Sequence, residues 1–583
     1  MQIRGVSISR RDARQPEAYD LGPRATLSFQ SVSTRNKPVH RASVAPVVAD
    51  PEIFFAIVAP MGSNTDAAVD ALHEALDDWN YQLTRIKVSN LVKKKRIFGH
   101  YDDGLSTYEH YKCGIEACNA ARAKLGSNDA MVRLALIEVE NQRLLLHGEG
   151  GEPSEDLNDR IIPVRRRAYV FQSLKLPEEI QTLRRVYGDL FFSISIHSPR
   201  EMRLRSLAER IKESVGDPKF KRHFAQAEEL LSQDEHEGGY GQNIRDAFPL
   251  ADFFTASDKP EDLKRTIGRF ISTIFRHPFV TPSRDELAMA HARSVAMRSA
   301  DLSRQIGATI TNEDGDVVAM GCNDVPRAGG GQYFEGDKDD ARDYLLSYDP
   351  NDKFKKYVIS EFLGRMAAAK WLKAPLNRLT PERLYEIASA SDGPEAFLDD
   401  SRVDNLIEFG RIMHAEMAAL MDAARRGLSL RGTTLYCTTF PCHMCTRLLI
   451  GAGIMRVVYI EPYPKSMALQ LYEQQISIDP EASVIGRVTF EPFTGVSPRR
   501  YFELFSMTKN MRKDKATGKA LPINRRGQPR LEIASTSYVD IETLIALEAS
   551  KAINTLEKPP ATRRRKKNNA RLDRSRKKTR TRR

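Results

Sequence analysis

His414-Ala415-Glu416 and Pro441-Cys442-His443-Met444-Cys445 bring one imidazole, two thiols and a carboxylate into two short segments of the chain. One His and two Cys suit Zn²⁺, a borderline-soft ion that takes nitrogen and sulfur ligands tetrahedrally, and three protein ligands leave a fourth corner for water. An open corner marks a catalytic site. Zinc lowers the pKa of its bound water by many units, so that a hydroxide exists near neutral pH and can attack a ring carbon such as C4 of cytosine. Glu416 stands outside the ligand set of His414, Cys442 and Cys445. As general base and then general acid it would take the water proton, deliver it to N3 and help the exocyclic amine leave as ammonia.

Each fragment alone has a plainer reading. An isolated His-x-Glu is commonly a solvated helix turn, and an isolated Cys-x-x-Cys is often a closed structural zinc site or a redox pair. A closed site needs a fourth ligand, for which His443 and Cys437 are the adjacent candidates. His443 lies between the two cysteines in sequence and is expected to point away from a metal they share.

The elements that must position these groups follow from composition. The run from Met413 to Arg426 is rich in Ala, Leu and Met without Pro or Gly, which predicts a helix opening near His414 with Glu416 in its first turn. Leu435 to Phe440 favours a strand, and Pro441 fits the start of a helix that places Cys442 and Cys445 on one face. Upstream, Gln305 to Thr311 and Val317 to Gly321, joined by Asn312-Glu313-Asp314-Gly315, predict a hairpin that brings Asn323 to a strand end. Val457 to Ile460 is a further strand, with a loop from Glu461 to Ser466 expected to shape a pocket rim.

A second region invites a functional reading. Ile53 to Ala59 is a continuous apolar run typical of a buried parallel strand, and a helix carrying Val69, Leu72, Leu76 and Trp79 follows the loop Pro60 to Asp66. With a strand from Tyr81 to Val88 this makes a βαβ opening, where a P-loop cradles phosphates. In register with G-x-x-x-x-G-K-[ST], however, Ala59 replaces the first Gly, Asn64 the second, Thr65 the Lys and Asp66 the Ser or Thr. A nucleotide held by Gly62, Ser63, Asn64, Thr65 and Asp66 through backbone N–H groups is one reading; a purely structural relic is the other. Strands are expected at Ala168 to Gln172 and Leu190 to His197, and a helix after Ser198-Pro199-Arg200-Glu201 with Ser198 as N-cap and Glu201 completing a capping box. Arg200, Arg203 and Arg205 could line a phosphate site or form a solvated face.

Length and charge bound the rest. At 583 residues the chain has room for at least two domains. Six cysteines are too few for a disulfide framework, no apolar stretch approaches a membrane span, and no secretory segment opens the chain, so a reducing cytosol is expected. The net charge of +12 resides in residues 561–583, which hold thirteen Lys or Arg and one Asp; the body before them is balanced. Such a tail reads as a disordered arm that adheres to nucleic acid without sequence preference, or has no specific partner.

From Asp285 to about Val488 the chain resembles the cytidine and deoxycytidylate deaminase superfamily, and its deoxycytidylate branch in particular. The resemblance is carried by RSADLSRQIGATI at 298–310, the Gly321-Cys322-Asn323 corner, His414-Ala415-Glu416, and TTFPCHMCTRLLIGAGIMRVVY at 438–459. It implies that Asn323 binds substrate at the sugar or base edge. With APMGSNTD at 59–66, LRRVYGDLFF at 183–192, SPREMRLRSLAERI at 198–211 and YIEPYPKSMALQL at 459–471, the arrangement from about 52 to 555 is similar to the bacterial anti-phage dCTP deaminases. That likeness implies an α/β chain: a flexible leader over 1–50, a degenerate P-loop kinase-like parallel-sheet domain over 51–278, a three-layer α/β/α zinc deaminase domain over 283–510 with an insertion at 324–413, an extension over 511–558 and a basic tail over 559–583. It further implies one Zn²⁺ per chain, dCTP or dCMP as substrate, a homo-oligomer in the bacterial cytoplasm, and restraint by an inhibitory RNA or the kinase-like domain. A deoxycytidylate deaminase of ordinary nucleotide metabolism, a polynucleotide-editing deaminase that uses the basic tail, and a nucleotide-binding regulator are the competing classes.

Overall fold

A computed structural model describes residues 48–93, 96–99, 105–148, 162–216, 220–235, 240–256, 259–390, 409–463, 466–478, 486–507, 512–525 and 536–557, with a few isolated positions besides. The expected leader before residue 48 and the basic tail lie outside the described residues. Among the described residues the strands form two six-stranded sheets.

The first sheet is built around β1 (Ile53–Val58), whose six residues are all buried. A strand covered on both faces must be apolar at every position, which is why this run lacks the alternation of a half-exposed strand. β1 pairs in parallel with β3 (Arg167–Leu174) on one side and β4 (Phe191–His197) on the other; β2 (Gln82–Lys87) extends the sheet beyond β3 and β5 (Phe253–Ala256) beyond β4. The helices Thr65–Asp77 and Pro260–Ile274 pack on each other. The former carries Val69, Leu72 and Leu76 inward at the spacing its sequence predicts.

The second sheet starts with the expected hairpin, β6 (Gly307–Thr311) against β7 (Val317–Cys322). β6 also pairs antiparallel with β8 (Thr434–Thr439), which runs parallel to β9 (Arg456–Glu461). β10 (Ile476–Ser477) and β11 (Val488–Pro492) complete it in the order β10-β11-β9-β8-β6-β7. Two glycines reveal the layers. A Cβ on Gly307 would lie 2.0 Å from the Ala292 carbonyl oxygen, so the helix Arg284–Ala296 covers that face; a Cβ on Gly321 would lie 2.4 Å from the Ala419 nitrogen, so the helix Ala415–Arg425 covers the other. Gly307 pairs with Cys322 and Gly321 with Ala308, adjacent rungs that point to opposite sides of the sheet.

The two sheets share structure to an extent the expected boundaries, at 278/283 and 510/511, do not convey. After β11 the chain returns to the first sheet, where β12 (Gly495–Val496) pairs antiparallel with β5. Ala251 and Phe254 of the first half pack in one cluster with Met289, Ala292, Tyr436, Val458 and Phe493. The buried Glu286 carboxylate accepts from the Val496 N–H at 2.7 Å and pairs with Arg269 at 2.6 Å. The helix Tyr538–Glu557, expected as part of a separate extension, sends Tyr538, Val539 and Ile553 into the core that holds Ile53 and Phe54. A two-residue strand and a helix docked from a distance leave no local pattern by which either destination could be read.

Two local expectations are also corrected. The helix after β4 is Arg200–Val215 with Pro199 at the N-cap and no side-chain cap bond; the Ser198 carbonyl instead accepts from Arg203 Nε at 3.1 Å. Arg203 is buried against Glu235, and Arg200 pairs with Glu228 and Glu235, so both guanidinium groups are matched by carboxylates of the chain itself. Within the insertion, the helices Pro350–Ala368 and Pro381–Ala388 close a small core of their own around Ile359, Leu363 and Leu384.

Candidate active site

β8 is followed by Phe440, Pro441 and Cys442, and the helix His443–Ala452 begins two residues later than Pro441 suggests, with Cys442 at its N-cap. Phe440 anchors this turn edge-on against Tyr459, and its N–H donates to the Glu461 carbonyl at 2.8 Å. The Cys442 sulfur accepts from the Cys445 N–H at 3.5 Å, the role a serine hydroxyl usually plays in satisfying an orphan donor. Both thiols therefore face out of the first turn, as their three-residue spacing predicts.

His414 is the N-cap of the helix Ala415–Arg425, in extended backbone, and makes no cap bond, which leaves its ring for another task. Met413 and Asp324 exchange backbone hydrogen bonds at 3.0 and 3.2 Å, tying the chain before His414 to the end of β7. His414 Nδ1 lies 3.4 Å from Cys442 Sγ and 3.4 Å from Cys445 Sγ. In a tetrahedron with Zn–N near 2.0 and Zn–S near 2.3 Å the nitrogen-to-sulfur edge is about 3.5 Å, so the three atoms fit one zinc ion. Among the described residues the group contains these three and no fourth His, Cys, Asp or Glu, as an open site requires. His443 and Cys437 are not part of it.

The three groups act strongly on one another: the hydrogen bond with Cys442, together with burial, holds the Cys445 thiol well above its ordinary value. The hydrogen bond with Cys445 and the neighbouring His414 hold the Cys442 thiol down, to about 4. Burial alone would lower His414, but Cys442 and Glu416 outweigh it and carry the imidazole up to about 9. Glu416 is 5% exposed and adjoins all three; burial pushes its carboxyl up to about 6, against the pull of His414.

Asn323 is brought to the same place. It follows β7 and is buried, with its Oδ1 accepting from the Ile306 N–H at 2.7 Å and its Nδ2 donating to the Arg304 carbonyl at 2.8 Å. Its side chain thus braces the segment that leads into β6. Ser299 Oγ donates to the Asn323 carbonyl at 2.6 Å and closes that segment from the other end. Two residues not singled out from the sequence also border the site: Asp301 acts on His414, and Tyr463, its hydroxyl raised by burial and by Cys442, lies in the loop after β9. Tyr463 could have been found within the rim loop; Asp301 is one charge in a polar stretch and carries no such signal.

Residues 282–461 match the family model described as the cytidine and deoxycytidylate deaminase zinc-binding region. His414, Glu416, Cys442 and Cys445 all fall within the matched residues. A probable deoxycytidylate deaminase of Drosophila melanogaster is 27% identical over 176 residues, 30% of this chain and 58% of that protein. The deoxycytidylate deaminase of Enterobacteria phage T4 is 43% identical over 54 residues, 9% of this chain and 28% of the phage protein. The matches thus span less than two thirds of these relatives. The solved dCMP deaminase from the cyanophage S-TIM5, in complex with dCMP and dUMP, is 17% identical, with a TM-score of 0.20, over 36% of this chain and 98% of its own.

Gly62, Ser63, Asn64, Thr65 and Asp66 lie together elsewhere, beyond the C-terminal end of β1. Gly62 takes a φ of +88° against Arg203; the Asn64 side chain caps the helix Thr65–Asp77 by accepting from Ala67 N–H at 3.1 Å. Thr65 Oγ1 accepts from Gln172 at 2.7 Å, and Asp66 pairs with Arg85 and Gln172. Ser63 Oγ, with the other four, borders a cavity on the first sheet.

Proposed function

We propose that this chain is a zinc-dependent hydrolase that deaminates deoxycytidine nucleotides, taking dCTP to dUTP or dCMP to dUMP with release of ammonia. The observation that carries the reading is the convergence of His414 Nδ1, Cys442 Sγ and Cys445 Sγ beside the buried carboxyl of Glu416. A bound zinc supplies there a water acidic enough to lose a proton near neutral pH. The Glu416 carboxylate would accept the first water proton and pass it to ring N3, then take the second from the hydroxyl now on C4 and pass it to the amino group, so that the C4–N bond breaks, the amine leaves as NH₃ and the water oxygen stays as the C4 carbonyl. A carboxyl raised to about 6 can hold the proton between these two transfers. Asn323, with both amide groups engaged by the 304–306 segment, serves the substrate by fixing the backbone that borders it.

The names of the curated relatives favour a deoxycytidine monophosphate, whereas the likeness of residues 52 to about 555 to anti-phage enzymes favours dCTP and a role in depleting the pool that a replicating phage needs. A homo-oligomer and an inhibitory RNA or other regulator belong to the latter reading. No helix among the described residues is long and apolar enough to cross a membrane. Incubating the purified protein with dCTP, dCMP, CTP, adenosine nucleotides and short oligonucleotides, with ammonia as readout, tests the proposal. Ammonia from dCTP or dCMP is expected; release from oligonucleotides alone would replace the reading with polynucleotide editing, and release from none would end it.

A further inference from the structure

The insertion ahead of the zinc ligands carries a helix, Pro350–Ala368, that is apolar on two sides. Its inward side, with Ile359, Leu363 and Ala367, packs against Leu384 and Ala388 of the helix Pro381–Ala388. Gly364 lies flush on that neighbour, where a Cβ would meet the Pro381 ring at 2.8 Å. A helix with one covered side ordinarily turns polar residues to the other. This one turns out Phe354, Tyr357, Val358 and Phe362, and the three rings are 52, 64 and 61% exposed.

Those side chains form one surface. At 3.6 residues per turn, positions 354, 357, 358, 361, 362 and 365 fall within about 140° of arc, opposite Ile359, Leu363 and Ala367. The lysines interspersed among them do not screen the face, because each is engaged elsewhere: Lys353 lies over the Tyr348 ring, Lys356 over the Tyr385 ring, and Lys355 pairs with Asp352 at 3.2 Å. With about 150–250 Å² per aromatic side chain, and with Val358, Glu361 and Arg365 among the rings, the uncovered face amounts to about 600 Å². Single apolar side chains on a surface need no explanation, but a contiguous patch of this size marks a contact.

The charges on the face indicate what covers it. Glu361 and Arg365 stand in its middle, one turn apart. Arg365 Nε and Nη2 both donate to Glu361 Oε1, at 3.0 and 2.6 Å, and among the described residues Glu361 Oε2 accepts from none. A stripe with one acid and one base is complementary to itself when run in reverse. A twofold axis near Glu361 and Phe362 lays rings against rings and sets Glu361 of each copy within about one turn of Arg365 of the other. Two such faces bury about 1,200 Å², the lower bound for a specific and stable interface. A partner of a single charge sign, such as a nucleic acid or an anionic membrane, would leave one of the two charges opposed by its like.

We propose that the chain pairs with a second copy of itself through the outward face of the helix Pro350–Ala368, antiparallel across a twofold axis. This gives the expected homo-oligomer a place on the chain. The pairing does not rest on the deaminase reading, since sedimentation reports on the one and ammonia release on the other.

Sedimentation velocity of the purified full-length protein tests it. A dimer, or an assembly with an even number of copies, is expected at about 10 µM. Phe362→Asp and Tyr357→Asp, both at exposed positions, are each expected to weaken the association by about tenfold or more. Glu361→Arg and Arg365→Glu are each expected to weaken it as well, because like charges then meet across the axis, and the double variant to restore it. A wild-type monomer or an odd-numbered assembly would overturn the proposal, and so would an association indifferent to Phe362→Asp, because the interface would then lie elsewhere. Failure of the double charge reversal to recover what its two single changes lose would overturn the antiparallel self-pairing. Should Phe362→Asp not fold, Phe362→Cys treated with a short bis-maleimide decides that arm. Five of the six native thiols are buried, so a covalent dimer absent from the wild type supports the pairing, and its absence from the variant overturns it.

Discussion

A carboxyl that must take a proton and give it back within one turnover works best with a pKa near the operating pH, and Glu416 reaches that range by burial beside an imidazole and two sulfurs. Replacing Glu416 with Ala removes the proton carrier and leaves the three ligand atoms in place. The variant is expected to retain stoichiometric zinc by elemental analysis and to lose about 10²- to 10⁴-fold in kcat; unchanged ammonia release would remove its acid–base role. Cys442→Ser separates the metal from the fold in a complementary way. Serine is at least as good an N-cap as the thiol it replaces, so the helix His443–Ala452 keeps its start while the zinc loses a thiolate ligand. Zinc content well below one per chain with native circular dichroism is the expected result. These residues were legible in the sequence because their spacing within a turn fixes the geometry locally. The bracing role of Asn323 was not, since it depends on Arg304 and Ile306 across a hairpin.

Gly321 shows how an element, more than any single ligand, sets the distance from His414 to the cysteines. The helix Ala415–Arg425 lies so close on β7 that a Cβ on Gly321 would meet the Ala419 nitrogen at 2.4 Å and the Ala415 carbonyl oxygen at 2.6 Å. Those are backbone atoms of the helix that carries His414 and Glu416, and no side-chain rotation relieves them. Gly321→Ala is therefore expected to push that helix outward, to destabilise by about 1–3 kcal/mol in thermal unfolding and to lower zinc occupancy. Full zinc retention in the variant would show that the helix is free to slide. Strands buried on both faces, such as β1, and the hairpin of β6 and β7 were legible because apolar runs and a turn with Asn and Gly speak for themselves. The start of the helix Arg200–Val215 was misread because Ser198 turns its carbonyl, and not its hydroxyl, to the side chain that follows.

For the whole molecule, the most consequential contact joins residues nearly four hundred positions apart. Arg143, with no exposed surface, binds Glu52 at 2.9 Å and Glu542 at 2.6 Å, and both carboxylates are equally buried. Tyr187 donates to Glu542 at 2.9 Å, and Tyr169 and Tyr538 donate to Glu52 at 3.3 and 3.0 Å. One guanidinium shared by two acids leaves a surplus negative charge in the core. Burial, with the charge of Glu52, pushes the Glu542 carboxyl from its ordinary 4.5 up to about 7 against the pull of Arg143. A carboxyl raised on folding binds more proton in the native than in the unfolded chain between those two values, so its contribution to stability is full below about 4.5, declines as pH rises and is lost above about 7. Glu542→Gln keeps the shape, an acceptor for Tyr187 and the Glu52–Arg143 pair, but cannot ionise. The difference in melting temperature, variant minus wild type, is expected to move in the variant's favour between about pH 5 and about pH 8. Because the helix Tyr538–Glu557 is held to the first core through this cluster, the protection of its amides, taken relative to the intrinsic exchange rate at each pH, is expected to fall over the same interval in the wild type and to stay level in the variant. A melting difference that is flat with pH would mean that Glu542 remains ionised throughout, with Arg143 matching it fully.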